Sequence, residues 1–183
     1  MGNDAVQVSG FGGFHMSSMK INGKQAYFSG FRGAAVFDRT FVLGVSGSSL
    51  DYPVRRDDIT GAPYQGEYPY VQVHYGGLFT GYNLNPEDLI NLSVTATIGG
   101  GALYYSDVPD DDDDDDWRID REAGIEDFFV FEPVVMAHLN VTRWMRVGAG
   151  ASYRYTKGID NGKLTNKDFN NWSVIGAVDF GWF

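Results

Sequence analysis

The chain has no cysteine, so neither a disulfide framework nor a thiolate metal site is open to it. That absence fits an oxidising compartment such as a periplasm or a cell surface. No apolar run approaches the roughly 18 residues that a membrane helix needs, which excludes a transmembrane helix. A basic face is missing too. With 14 Lys and Arg against 24 Asp and Glu, nothing is available to meet a phosphate backbone, and nucleic acid is excluded as a partner. The first residues, 1–6, carry neither a basic n-region nor an apolar h-region. Either the protein is not exported or an export signal was removed or left out ahead of them; the second is the expectation, with Met1-Gly2 as a non-native start. What the chain does have is aromatic residues, at 15%, and 24 glycines in 183 residues. Its mean hydropathy of -0.25 suits a water-soluble protein, but barrel strands that show only alternate side chains to lipid give the same low value. Its length suits one domain, residues 1–183.

The net charge of -10 has an address. Asp107, Asp110, Asp111, Asp112, Asp113, Asp114, Asp115, Asp116, Asp120, Glu122, Glu126 and Asp127 set twelve acids against Arg118 and Arg121, an excess equal to that of the whole chain. The remainder is neutral. A run of this kind repels itself, so an exposed loop is expected there. Calcium takes several carboxylate oxygens at once, but an ordered calcium loop interleaves its acids with glycine and backbone ligands. Seven consecutive Asp, 110–116, therefore offer no defined site: a plain solvated loop is expected, with loose cation binding, or a face for a cationic partner, as the alternative; no other cofactor is expected.

Strict alternation of apolar and polar residues, the strand signal, is clearest after residue 90. Ile90, Leu92, Val94, Ala96, Ile98, Ala102 and Tyr104 alternate with Asn91, Ser93, Thr95, Thr97, Gly99 and Gly101. Residues 145–155 and 172–182 repeat the scheme, and weaker versions cover about 5–16, 26–37, 41–50, 69–82 and 128–141. Eight strands long enough to cross a bilayer on a tilt result. Their connections alternate: short at 38–40, 83–89 and 142–144, long at about 51–68, 106–127 and 157–171, with residues 17–25 the shortest on the long side. This predicts an all-β, eight-stranded antiparallel up-and-down transmembrane barrel, its long loops extracellular and its termini periplasmic. In a soluble barrel the apolar set would point inward. Here the other set is Gly, Ser and Thr, a poor water-facing surface and a good filling for a narrow interior, so the apolar set is assigned to lipid. Aromatics fall where interfacial girdles belong: Phe37, Phe41, Tyr82, Trp144, Trp182 and Phe183 near the short turns, and Tyr68, Tyr70, Tyr104, Tyr105, Tyr153, Tyr155 and Trp172 toward the loops. Pro133 lacks a ladder donor and predicts a bulge.

Parity then puts Arg32, Gln72, His74, Glu132, His138, Asn140, Arg146, Arg154 and Asp179 inside. Eight strands enclose only side chains, so Glu132 and Asp179 are expected to pair with Arg146, Arg154 or Arg32, as a plug of ion pairs in preference to an ion path.

Residues 21–35 (INGKQAYFSGFRGAA), 41–47 (FVLGVSG), 131–133 (FEP) and 140–155 (NVTRWMRVGAGASYRY) resemble a family of small, largely uncharacterised outer-membrane barrels of the OmpA/OmpX type, over most of the chain apart from the long loops. The resemblance implies a fold and a bacterial outer-membrane location, not an activity. It also implies insertion by the outer-membrane assembly machinery, because residues 178–183 (VDFGWF) are similar to the terminal aromatic signal; Phe183 departs from its register. His15-Met16-Ser17 resembles the His and Ser, two residues apart, of some lipid A deacylases, in which His activates a hydroxyl. Parity sends His15 to the lumen or rim, however, and no orienting acid is at hand. The expectation is a non-enzymatic structural or surface-exposed interaction protein in contact with outer-membrane lipid, or an accessory subunit of a larger outer-membrane complex. The alternative is a membrane-embedded lipid-modifying enzyme or a narrow solute channel.

Overall fold

The computed structural model describes residues 6–21, 23–51, 54–55, 70–106, 126–160 and 164–183, with the side chains of 54, 55, 70 and 104–106 excepted. Alternating residues build β1 Val8–Ile21, β2 Lys24–Phe37, β3 Phe41–Leu50, β5 Tyr70–Leu84, β6 Ile90–Ser106, β7 Glu126–Asn140, β8 Met145–Lys157 and β9 Asn171–Gly181, with a two-residue β4, Val54–Arg55. A four-residue helix, α1, covers Asn166–Phe169. Among the described residues no helix is long and apolar enough to cross a membrane.

Eight long strands pair antiparallel with their neighbours, and β1 closes on β9. β5 joins β3 up to His74 and then takes β4 on the same edge. The pairings Ser9↔Val36, Val42↔Gly81, Thr95↔Val134 and Ser152↔Ser173 lead once around the wall and arrive at Met19, ten residues beyond the start. A stagger of this size in eight strands demands a steep strand tilt. Trp172, facing out on β9, and Trp182, exposed one residue past the end of that strand, are ten steps apart, which at such a tilt spans about 25 Å, the height of an apolar barrel band.

Within that band the alternation acts as the sequence predicts. Ile90, Leu92, Val94 and Ile98 face out, whereas Asn91, Ser93, Thr95 and Thr97 are buried in the lumen. The short-turn girdle is present: Phe41 packs on Phe37 and Tyr82, and Trp144 stacks on Phe180 at 6.0 Å. Phe183 leaves it. Being one residue out of step with Trp182, it turns inward onto Phe11.

Three further expectations change. Residues 17–25 are not a loop: β1 runs to Ile21 and β2 begins at Lys24, with Gly23 at φ +79°, a conformation that glycine adopts at no steric cost. Pro133 makes no bulge, because Phe131↔Tyr155 and Val134↔Ser152 keep one register; the ladder to β8 only skips the pairs that Glu132 and Pro133 would make. Gln72 and His74 are not in the lumen. They face outward, and Val71, Val73 and Tyr75 point in.

The last change has a general cause. Toward the long loops the inward positions become apolar: Met19, Ile21, Phe28, Leu50, Val71, Val73, Leu103, Phe128 and Val130 form one cluster with Ile159, Leu164 and Phe169. Those last three belong to the connection after β8, which folds over the mouth with 0–1% of their surfaces exposed. Asn166 accepts from the Ile159 amide at 3.0 Å, the Asn170 carboxamide oxygen accepts from the Thr156 hydroxyl at 2.9 Å, and Asp168 caps Thr165 at 2.8 Å. This region is a lid rather than an open loop. Apart from β4, the connections at 52–69 and 107–125 lie outside the described residues, and Asp110–Asp116 with them.

Candidate functional site

Glycine gives the lumen room for its charges. A Cβ at Gly13 would stand 2.3 Å from the Asp179 carboxylate, and one at Gly148 would stand 2.6 Å from both His138 Nδ1 and Met136 Sδ. Near the short turns, Asp179 accepts from Arg32 through both oxygens, Nε at 2.8 Å and Nη2 at 2.7 Å, and from Arg146 Nε at 2.9 Å. The two guanidiniums lie against aromatic faces, Arg32 over Phe79 at 5.7 Å and Arg146 over Phe11 at 4.7 Å and Phe183 at 4.1 Å. Such contacts replace part of the hydration that a buried cation gives up.

A second cluster sits toward the lid. Glu132 accepts from the Tyr75 hydroxyl at 2.6 Å, from Ser152 at 2.7 Å and from Arg154 Nε at 3.4 Å. Arg154 Nη2 also donates to the Tyr75 oxygen at 2.5 Å, and its guanidinium is clamped between Phe28 and Tyr75 at 4.1 and 4.3 Å. All five charges have burial that only pairing makes tolerable. Between the clusters run Ser46 with Thr97 at 2.7 Å and His15 Nε2 with Ser48 at 2.8 Å, and beside the Asp179 cluster His138 Nε2 pairs with Ser93 at 2.8 Å. A small void lined by His15, Arg32, Tyr75 and Glu132 remains among them.

The candidate residues thus fall into distinct settings. Arg32, Arg146 and Asp179 form one cluster, Glu132 and Arg154 the other, and His138 packs beside them. Asn140 instead ties the rim to the turn at 85–89, donating to the Asp88 carbonyl at 2.8 Å. His15 and Ser17 both point into the wall's interior, away from any lipid, and the imidazole is engaged by Ser48. Among the described residues no three His, Asp or Glu side chains converge as a metal would require. Tyr75, which links Arg154 to Glu132, was missed by parity; its signal was the apolar Val71 and Val73 on the same face. The lid residues carried no periodic signal, since an irregular connection has none.

No family model matches the sequence, and no curated protein is similar to it in sequence. Solved structures are similar in fold. The surface protein A of Neisseria is 10% identical, with 97% of this chain and 99% of that one covered and a TM-score of 0.58. The N-terminal β-barrel domain of Pseudomonas aeruginosa OprF is 11% identical, covering 97% and 100%, at 0.54. Ail, the attachment invasion locus protein of Yersinia pestis, solved with the heparin analogue sucrose octasulfate, is 12% identical, covering 96% and 95%, at 0.50. The fold is that of the eight-stranded outer-membrane β-barrels.

Proposed function

We propose that the chain is a resident of the bacterial outer membrane that works as a non-enzymatic structural or surface interaction protein, acting through its exterior loops, alone or as an accessory subunit of a larger complex. The closed lumen carries this reading. Apolar side chains fill it under the lid, two ion clusters cross its middle, and Phe11, Phe79 and Phe183 fill the other end, which leaves a solute little continuous path. Both ends of the described chain meet the short turns, where Trp144 O accepts from Gly181 N and Gln7 O accepts from Asp38 N. That geometry supports periplasmic termini and extracellular long loops. Insertion would fall to the outer-membrane assembly machinery. The run Asp110–Asp116 supplies loose cation binding, calcium included, or a face for a cationic partner. The attachment protein Ail has the same fold and was solved with a polyanion; the acidic run here suits the opposite charge.

Single-channel recording in planar bilayers should find no conductance, and expression should leave the mass of lipid A unchanged. Discrete openings would favour the channel, and a lost acyl chain the enzyme. Gentle purification from native membranes should bring down a reproducible partner if the chain is an accessory subunit.

A further inference from the structure

The outward face is not the same all the way around. On β7, β8 and β9 the aromatic upper edge of the band is continuous: Phe129, Phe131, Tyr153, Tyr155 and Trp172 face out, with Tyr153 and Trp172 paired across the ladder and their rings in edge contact at 5.2 Å. On β3 and β5 the corresponding outward residues are Gly47, Ser49, Gly76 and His74.

Exposed lysines follow the aromatic arc. The pairing Met19↔Ser173 sets Lys20 of β1 beside Trp172 of β9, and Asn171 Nδ2 donates to the Lys20 carbonyl at 3.0 Å, fixing that edge. Lys157 continues the outward row of Tyr153 and Tyr155 on β8, and exposed Lys167 stands on α1 between the two strands. The acids near them are Asp160 and Asp168 on the lid and exposed Asp127 on β7, two residues along from the Phe129 that pairs with Lys157. Asp168 is engaged by the Thr165 amide and hydroxyl, whereas Asp160, bridged to Thr165 through its backbone, is exposed. The acidic segment joins β6 to β7, so it meets the wall beside Lys157, where Phe129 pairs with that lysine, and lies two strands farther from Lys20 of β1.

We propose that the β8–β9–β1 rim is a headgroup site for a phosphorylated outer-leaflet lipid. Lys20 and Lys157, with Lys167 above them, receive the phosphates, and the Trp172–Tyr153 plate packs against the sugar and the start of the acyl chains. The chemistry is that of an interface: amphipathic rings lie at headgroup depth, and lysine stems extend along the wall while their ammonium groups stay at the phosphate layer. The β3–β5 arc has neither component among its described side chains. This inference rests on the outer-membrane reading.

The test is native mass spectrometry of the full chain in detergent, titrated separately with bisphosphorylated lipid A, dephosphorylated lipid A and inorganic phosphate. The expected result is a preference of roughly tenfold for the phosphorylated lipid, abolished in the K20Q/K157Q double variant and retained in R143Q, which changes a cation at the opposite rim. Equal retention of the two lipids, unchanged retention by the double variant, or binding of inorganic phosphate with no lipid preference would each overturn it. Heat-modifiable gel migration and the need for detergent report the barrel independently. A chain that stays soluble without detergent refutes the membrane reading itself, whereas a detergent-dependent folded barrel without phosphate preference refutes only the headgroup site.

Discussion

The half of this barrel within the apolar band and the half beyond it, toward the lid, obey different rules. Between Trp182 and Trp172 the wall is apolar outside and mixed inside, where Asp179 and Glu132 centre hydrogen-bonded clusters and Phe11, Phe79, Val134 and Met136 pack around them. Beyond that band, toward the lid, Met19, Phe28, Val71, Leu103 and Phe169 turn inward while Lys20, Gln25, Gln72 and His74 face out. The strands do not break at the boundary. A barrel strand keeps its parity, so what changes is which chemical type occupies each parity, because the solvent outside changes from hydrocarbon to water.

The difference can be broken most strongly at Asp179. Replacing it in D179A leaves two buried guanidiniums with no counter-charge, and a loss of about 4 kcal/mol is expected in urea unfolding from lipid vesicles. Next comes the lid. F169A should cost about 3 kcal/mol of local stability by opening a cavity in the exterior core. It should expose the 158–170 segment to protease while the heat-modifiable wall persists; loss of the whole barrel would show instead that the two halves fold as one unit. A charge on the outer wall separates the solvents directly. V94R lies inside the band and should cost about 2 to 3 kcal/mol, whereas H74R, on the same outer surface beyond it, should cost less than about 1 kcal/mol. Equal penalties would erase the boundary. The smallest effect is expected at the short turns, where the exposed pair of Arg39 and Glu87 at 2.6 Å contributes little; E87Q should change stability by about 0.5 kcal/mol or less.

Legibility in the sequence followed the same boundary. Residues 90–98, 145–155 and 172–182 announce strands and faces, because lipid on one side and a narrow lumen on the other demand opposite residue types at alternate positions. Gln72 and His74 mislead, since the polar-in rule was carried into a region where water lies outside. Residues 17–25 mislead for the same reason: Ser17, Met19 and Ile21 point in, and the mixture of types conceals a continuing strand. Parity selected the charged residues of both clusters without saying which carboxylate would meet which arginine, because partners such as Arg32 and Asp179 are far apart in sequence and meet only through the closure of β1 on β9.

By itself, then, the sequence determined the period, the number of long strands, the alternation of short and long connections after the first hairpin and the single acidic segment, all of which are local or compositional. Only the tertiary structure decided the ten-residue stagger, the division of five charges into two clusters, the linking role of Tyr75 and the lid made by Ile159, Leu164 and Phe169. These depend on what stands across a closed lumen. Closure brings together residues whose spacing in the chain carries no period.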